Sequence, residues 1–143
     1  MGRSFVWMGQ YAWLQSKLFN MNIERIREIC LQLPHTFEGI KYGDQLCFSV
    51  GFPLEKGGSK VFCSSNIKNL DRINFKVPDA HFEELCEKEG IASAPYGGVR
   101  FKYVQVGGFG FLTDKEWIFY IHQSYELLKA SLPKKVLTVL ENN

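Results

Sequence analysis

Arg72, Asn74 and Lys76 stand at alternate positions of the stretch DRINFKV, with Ile73, Phe75 and Val77 between them. In a strand, successive side chains leave on opposite faces, so the apolar set turns toward a core. The other set then presents a guanidinium, an amide and an ammonium side by side. Such a row can hold phosphate oxygens, because charge-assisted hydrogen bonds from Arg and Lys position a nucleic-acid backbone without reading its sequence. The same row also keeps the outer face of an open antiparallel sheet soluble and its edges unpaired. Arg100 and Lys102 repeat the pattern in VRFKYVQV, alternating with Val99, Phe101 and Tyr103, and Lys60 opens KVFCS. From Lys56 to Lys76 there are five basic residues and one acid, whereas Asp79 to Glu89 holds five acids and one base. Separated stretches of opposite sign give a dipole that orients a molecule toward phosphate.

Other reactive side chains form no comparable group. His35, His81 and His122 have no ligand spacing, and Cys30, Cys47, Cys63 and Cys86 are never closer than 16 positions. That excludes the paired CxxC of a zinc ribbon or a thioredoxin-like site, and the thiols read as free in a reducing cytoplasm. His81 and Cys86 fall about 140° apart around a helix and do not meet as base and nucleophile. The turn GGFGFLT offers backbone N–H groups before a helix, but lacks the Lys-Ser/Thr of a P-loop. Tyr96 in PYGG is a turn residue that can flank a pocket. Lys134 and Lys135 follow Pro133 and read as a solvated tail. No catalytic residue, metal ligand or cofactor is expected.

These residues need elements to position them. In NIERIREICLQLP, Ile23, Ile26, Cys30 and Leu33 recur on one helical face until Pro34. LCFSV alternates with Leu46, Phe48 and Val50 inward, and FPLEKGGSK returns the chain into KVFCS as a hairpin. HFEELCEKEG is a second helix with Phe82, Leu85 and Cys86 as its stripe. Val99 to Val106 reads as a strand with Phe101 and Tyr103 inward. TDKEWIFYIHQSYELLKASLP opens with Thr113 and Glu116 spaced as a capping box, and buries Trp117, Ile121, Tyr125, Leu128 and Leu132. Runs of strands, rather than strict alternation with helices, predict an α+β domain whose antiparallel sheet carries helices on one face.

The 143 residues fit one domain with a substantial core. Net charge is +2, but Arg3 and Lys17 supply the surplus, so only a local patch favours nucleic acid. Residues 1–20 contain no acid and many aromatics, yet are too interrupted for a membrane span. They read as an N-terminal aromatic extension, either an arm that docks or a segment ahead of a start at Met21, where the domain pattern begins.

MNIERIREICLQLP, YGD at 42–44, VFC, INFKVPDAHFEELCEKEGI and IHQSYELLKASLPKK, in this order and spacing, resemble the MmcQ/YjbR family. The resemblance spans residues 21–135, leaving 136–143 as a C-terminal tail. It implies a CyaY-like α+β domain with a double-wing motif, often labelled DNA-binding. The long connection GFPLEKGGS departs from the tight turn of relatives, and Phe101 and Tyr103 stand where relatives often carry Trp.

The expectation is therefore a cytoplasmic, monomeric, non-enzymatic domain with no membrane role. It binds DNA or other nucleic acid weakly and without sequence preference through Lys60, Arg72, Asn74, Lys76, Arg100 and Lys102. The alternatives are an adaptor for another protein, or a small-ligand-binding protein or enzyme with its pocket near Tyr96 and the glycine turns.

Overall fold

The structure, a computed structural model, describes residues 21–53 and 56–142. The expectations for residues 1–20 lie outside the described residues. Helix α1 (Ile23–Leu31) begins where the Asn22 side chain accepts a hydrogen bond from the Arg25 amide at 2.9 Å, satisfying one orphan donor of the first turn. Its apolar face buries Ile26, Ile29 and Cys30. The chain then runs through β1 (Thr36–Lys41), β2 (Gln45–Gly51), β3 (Ser59–Asn66) and β4 (Asn69–Lys76), an antiparallel meander. Helix α2 (Asp79–Cys86), β5 (Ile91–Ser93), a single helical turn α3 (Gly98–Phe101) and β6 (Tyr103–Val106) follow. A short 3₁₀ turn (Phe109–Phe111) leads into α4 (Asp114–Ala130), and α5 (Lys134–Glu141) completes the described chain.

The sheet order is β1-β2-β3-β4-β6-β5, every pair antiparallel. The α+β architecture with helices against one face is therefore as the sequence predicts. The later strand β6 is inserted between β4 and β5. At the exit of β4 the Val77 amide donates to the Lys102 carbonyl at 2.9 Å, so the chain returns to the point it left.

One face of the sheet forms the core. Phe48, Cys63, Phe75 and Val104 pair across four strands in one row, and Ile73 and Val106 pair in the next. All are buried, with Trp117, Ile121 and Tyr125 of α4 against them. The Phe75 ring meets Trp117 edge-on at 6.2 Å, and Phe62 meets Tyr125 edge-on at 5.4 Å, favoured geometries for aromatic quadrupoles. The capping box is present: the Glu116 amide donates to Thr113 Oγ1 at 3.1 Å and the Thr113 amide to Glu116 Oε1 at 2.9 Å. The Tyr125 hydroxyl donates to the Pro34 carbonyl at 2.7 Å, tying α4 to the end of α1.

A β-bulge supplies a second tie. Phe48 pairs with Cys63 and Ser49 with Val61, leaving Phe62 unopposed. The Ser124 hydroxyl of α4 donates to the Phe62 carbonyl at 2.6 Å and accepts from the Lys76 amide at 2.9 Å. One buried hydroxyl thus satisfies backbone groups of two strands.

Three local expectations require correction. Residues 99–106 are not one strand. Gly97 takes a left-handed φ of 94°, the chain winds through α3, and Lys102 at φ 61° reverses it into a strand of only four residues. The burial of Val104 and Val106 against Phe75 and Ile73 sets its phase, so Tyr103 faces the other way. The supposed tail is helical: Val136 and Leu140, one turn apart, bury with Leu132 and pack on Phe52. Two edge strands, β1 and β5, are additional to the elements read from the sequence.

Candidate functional site

No described helix covers the opposite face of the sheet, where the side chains form three rungs. Gln45, Asn66 and Asn69 are successive partners in the first. Cys47, Ser64, Asn74 and Gln105 make the second across four strands. In the third, Val61 opposes Ser49 and Tyr103 opposes Lys76. Residues two apart along a strand repeat every ~6.6 Å, so the outer rungs lie ~13 Å apart.

The rungs floor a groove of about 840 Å³. Tyr42 and Asp44 wall it from the β1–β2 turn, and Pro95 to Gly98 with Phe101 wall it from the β5–β6 connection. Each wall contains a Tyr-Gly pair in the same left-handed conformation: Tyr42 (φ 56°) with Gly43 (84°), and Tyr96 (62°) with Gly97 (94°). This geometry turns both phenol rings to solvent, leaving Tyr42 89% and Tyr96 99% exposed.

The middle rung is pre-organised by its own hydrogen bonds. Gln105 Nε2 donates to Asn74 Oδ1 at 3.0 Å, and Asn74 Nδ2 donates to Ser64 Oγ at 3.3 Å. The chain fixes both carboxamide planes and leaves the Ser64 proton and the Gln105 carbonyl oxygen for a ligand. Beside them Tyr103 donates its hydroxyl to the Val61 carbonyl at 2.9 Å, and burial pushes its pKa up to about 12. The Cys47 thiol is also pushed up by burial, an effect that nearby Lys41 opposes.

The six residues expected to form a basic face are dispersed. Arg72 and Asn74 line the groove, and among the described residues the Arg72 guanidinium meets no carboxylate. Lys76 borders the groove, but its ammonium donates to the Phe101 carbonyl and lies 5.6 Å from the Tyr103 ring centre. Arg100, on α3 rather than a strand, stacks 5.1 Å over the neighbouring Phe101 ring. Lys102 points to the helical side, 5.0 Å over Phe82 of α2. Lys60 also belongs to that side, donating at 3.0 Å to both the carbonyl and hydroxyl of Ser131 at the end of α4. A helix C-terminus holds a cation through its partial negative charge, which is why Lys60 is drawn there. The cations do not gather on one surface.

The polar floor was in part visible in the sequence, since Gln45, Cys47, Ser64 and Asn66 alternate with the apolar residues of β2 and β3. Tyr103 and Gln105 were hidden by the phase of β6, and Tyr42 by a turn whose partner wall comes from more than fifty residues later. Among the described residues no three His, Cys, Asp or Glu side chains form a metal-binding group, and no helix is long and apolar enough to cross a membrane.

The family model described as YjbR matches residues 31–127. Among solved structures, the crystal structure of Deinococcus radiodurans protein DR2400, which carries the family-model domain DUF419, superimposes with a TM-score of 0.72. It is 24% identical, over 84% of this chain and 88% of that one, a likeness of fold. No curated protein matches the sequence.

Proposed function

This chain belongs to the YjbR family, and from that premise we propose that it is a non-enzymatic binding domain whose working surface is the uncovered face of the sheet. The observation that carries the reading is the groove, concave, floored by carboxamides and walled by exposed aromatic rings. Its volume falls within the range of small-molecule sites, about 300–1,000 Å³. Carboxamides donate and accept at once, which suits the uncharged polar groups of a ligand. Burial holds Cys47, the one cysteine among the described lining residues, as a thiol rather than the nucleophilic thiolate, which supports binding over thiol catalysis.

Nucleic acid is the second reading, favoured by the unpartnered Arg72 beside aromatic and amide groups. With the other bases dispersed, single strands that expose their bases fit better than duplex phosphates. One or two phosphate contacts predict a logarithmic salt slope of about −0.7 to −1.4.

The test is amide-shift mapping of the ¹⁵N-labelled full chain. The probes are a fragment set of sugars, amino acids, nucleosides and nucleotides, together with single-stranded and duplex oligonucleotides at two salt concentrations. Shifts centred on Ser64, Asn74 and Gln105 are expected, with α4 unmoved. Silence of these three amides toward every probe at millimolar concentration would remove the proposal.

A further inference from the structure

The groove has direction. One end is aromatic, formed by Tyr96, Phe101 and Tyr103, and the ~13 Å to the other end is crossed by the hydrogen-bonded amides of the middle rung. At the far end, where Tyr42 and Asp44 of the β1–β2 turn form the wall, Arg72 stands beside Asn66 and Asn69, without an acidic partner among the described residues. A flat ring, a hydroxylated centre and an anion are thus met in that order by a stacking surface, a donor–acceptor pair and a guanidinium.

The tyrosine walls add an independent observation. A bulky residue in the left-handed region is strained because its Cβ crowds the backbone carbonyl, and Gly or Asn occupies it more easily. This chain places Tyr there twice, each time before a glycine and each time with the ring almost wholly in solvent. Neither ring gains the burial that would offset the backbone cost. The same conformation at His35 and Lys102 serves turns of the chain, so it is the exposure of both rings at the rim of a concave site that points to a ligand contact.

We propose that the groove binds a nucleotide unit, with its base stacked at Tyr96, its sugar over the Asn74–Gln105 pair and its phosphate on Arg72. The inference rests on the groove being the binding surface and names what enters it. Base stacking on an aromatic side chain and a charge-assisted contact from Arg to phosphate supply the two anchors. Asp44, at the phosphate end, repels the additional charge of a longer phosphate chain, so a monophosphate is preferred over a triphosphate.

The experiment compares four probes by calorimetry and amide shifts: adenosine 5′-monophosphate, adenosine, ribose 5-phosphate and an eight-residue single-stranded oligoadenylate. The monophosphate is expected to bind at least fivefold more tightly than either fragment. Arg72→Gln should reduce its affinity to that of adenosine while leaving adenosine unchanged. Tyr96→Asn should weaken adenosine and the monophosphate by the same factor, yet leave thermal stability equal or higher because Asn tolerates the backbone. Tighter binding of the oligoadenylate assigns the nucleotide unit to a single strand, and weaker binding assigns it to a free nucleotide.

Ribose 5-phosphate binding as well as the monophosphate overturns the proposal, as does affinity indifferent to Tyr96→Asn. If sugars or amino acids shift Ser64, Asn74 and Gln105 but none of the four probes does, the groove remains the binding surface and the nucleotide assignment fails. Loss of stability in Tyr96→Asn also counts against it, because the ring would then be serving the fold.

Discussion

Tyr103 carries a conflict that pH can expose. Its hydroxyl is committed to the Val61 carbonyl, and burial raises its pKa from 10.0 to about 12. The folded protein therefore retains a proton that the unfolded chain releases first. Stability is expected to be independent of this group below pH 10 and to fall as pH rises from 10 toward 12. Tyr125 is shifted in the same direction by burial, so the Tyr103→Phe variant should retain part of the decline and lose the rest. Denaturant unfolding at stepped alkaline pH measures both slopes, and identical curves for the two proteins would refute the assignment. Two glycines permit a second residue-scale prediction. A Cβ at Gly51, where φ is 124°, would lie 2.0 Å from the Gly58 carbonyl oxygen, whereas one at Gly90 would strike the half-exposed ring of Phe111. Backbone cannot retreat as a side chain can. Gly51→Ala should cost on the order of 3 kcal/mol, from strain and overpacking together. Gly90→Ala should cost less and be partly relieved by Phe111→Ala, a coupling that a double-mutant cycle reads.

Among the elements, α4 matters through its ends and through one hydroxyl. Removing the cap with Thr113→Ala should lower stability by about 1 kcal/mol. Ser124→Ala should cost more, about 2–4 kcal/mol, because it strands the Phe62 carbonyl and the Lys76 amide in the core. A Ser124→Ala loss no greater than that of Thr113→Ala in urea unfolding would show that water replaces the hydroxyl. Helices α1, α2 and α4 were legible from the chain because their apolar spacing is periodic, and Thr113 with Glu116 announced the start of α4, whereas the single turn α3 was read as strand and α5 as tail. Edge strands were not. In β1 the core-side positions are Thr36, Glu38 and Ile40, and Glu38 is tolerated there because Arg27 of α1 grips it through Nε at 2.8 and 3.1 Å, holding its carboxyl below the usual range. A polar residue facing a helix reads as loop when its partner is unknown. The strand β6 failed differently: VRFKY and VQV alternate out of phase, and only the pairing of Val104 with Phe75 decides between them.

For the whole molecule, one covered and one bare face follow from the alternation of β2 to β4, and that division was readable in advance. The convergence of charge was not. Lys60 and Lys102 leave for the helical side because a helix end and an aromatic ring attract them, contacts between segments far apart in sequence. The last helix is a satellite to the main core, with Leu132, Val136 and Leu140 packed on Phe52. Leu140→Ala should therefore cost about 2 kcal/mol, near the lower end for such changes, and Phe75→Ala about 4. Thermal unfolding of the pair tests this ranking, and equal losses would place α5 within the main cooperative core. The Val77–Lys102 hydrogen bond has a further consequence. The segment between those residues holds α2, the edge strand β5 and the Tyr96 wall, and a second bond, from the Ala94 amide to the Tyr103 carbonyl at 2.9 Å, closes off a shorter inner loop at residues 95–102. That inner loop can loosen, lengthen or be traded for another while all six strands stay paired, so one side of the groove is free to diversify without endangering the fold that supports it.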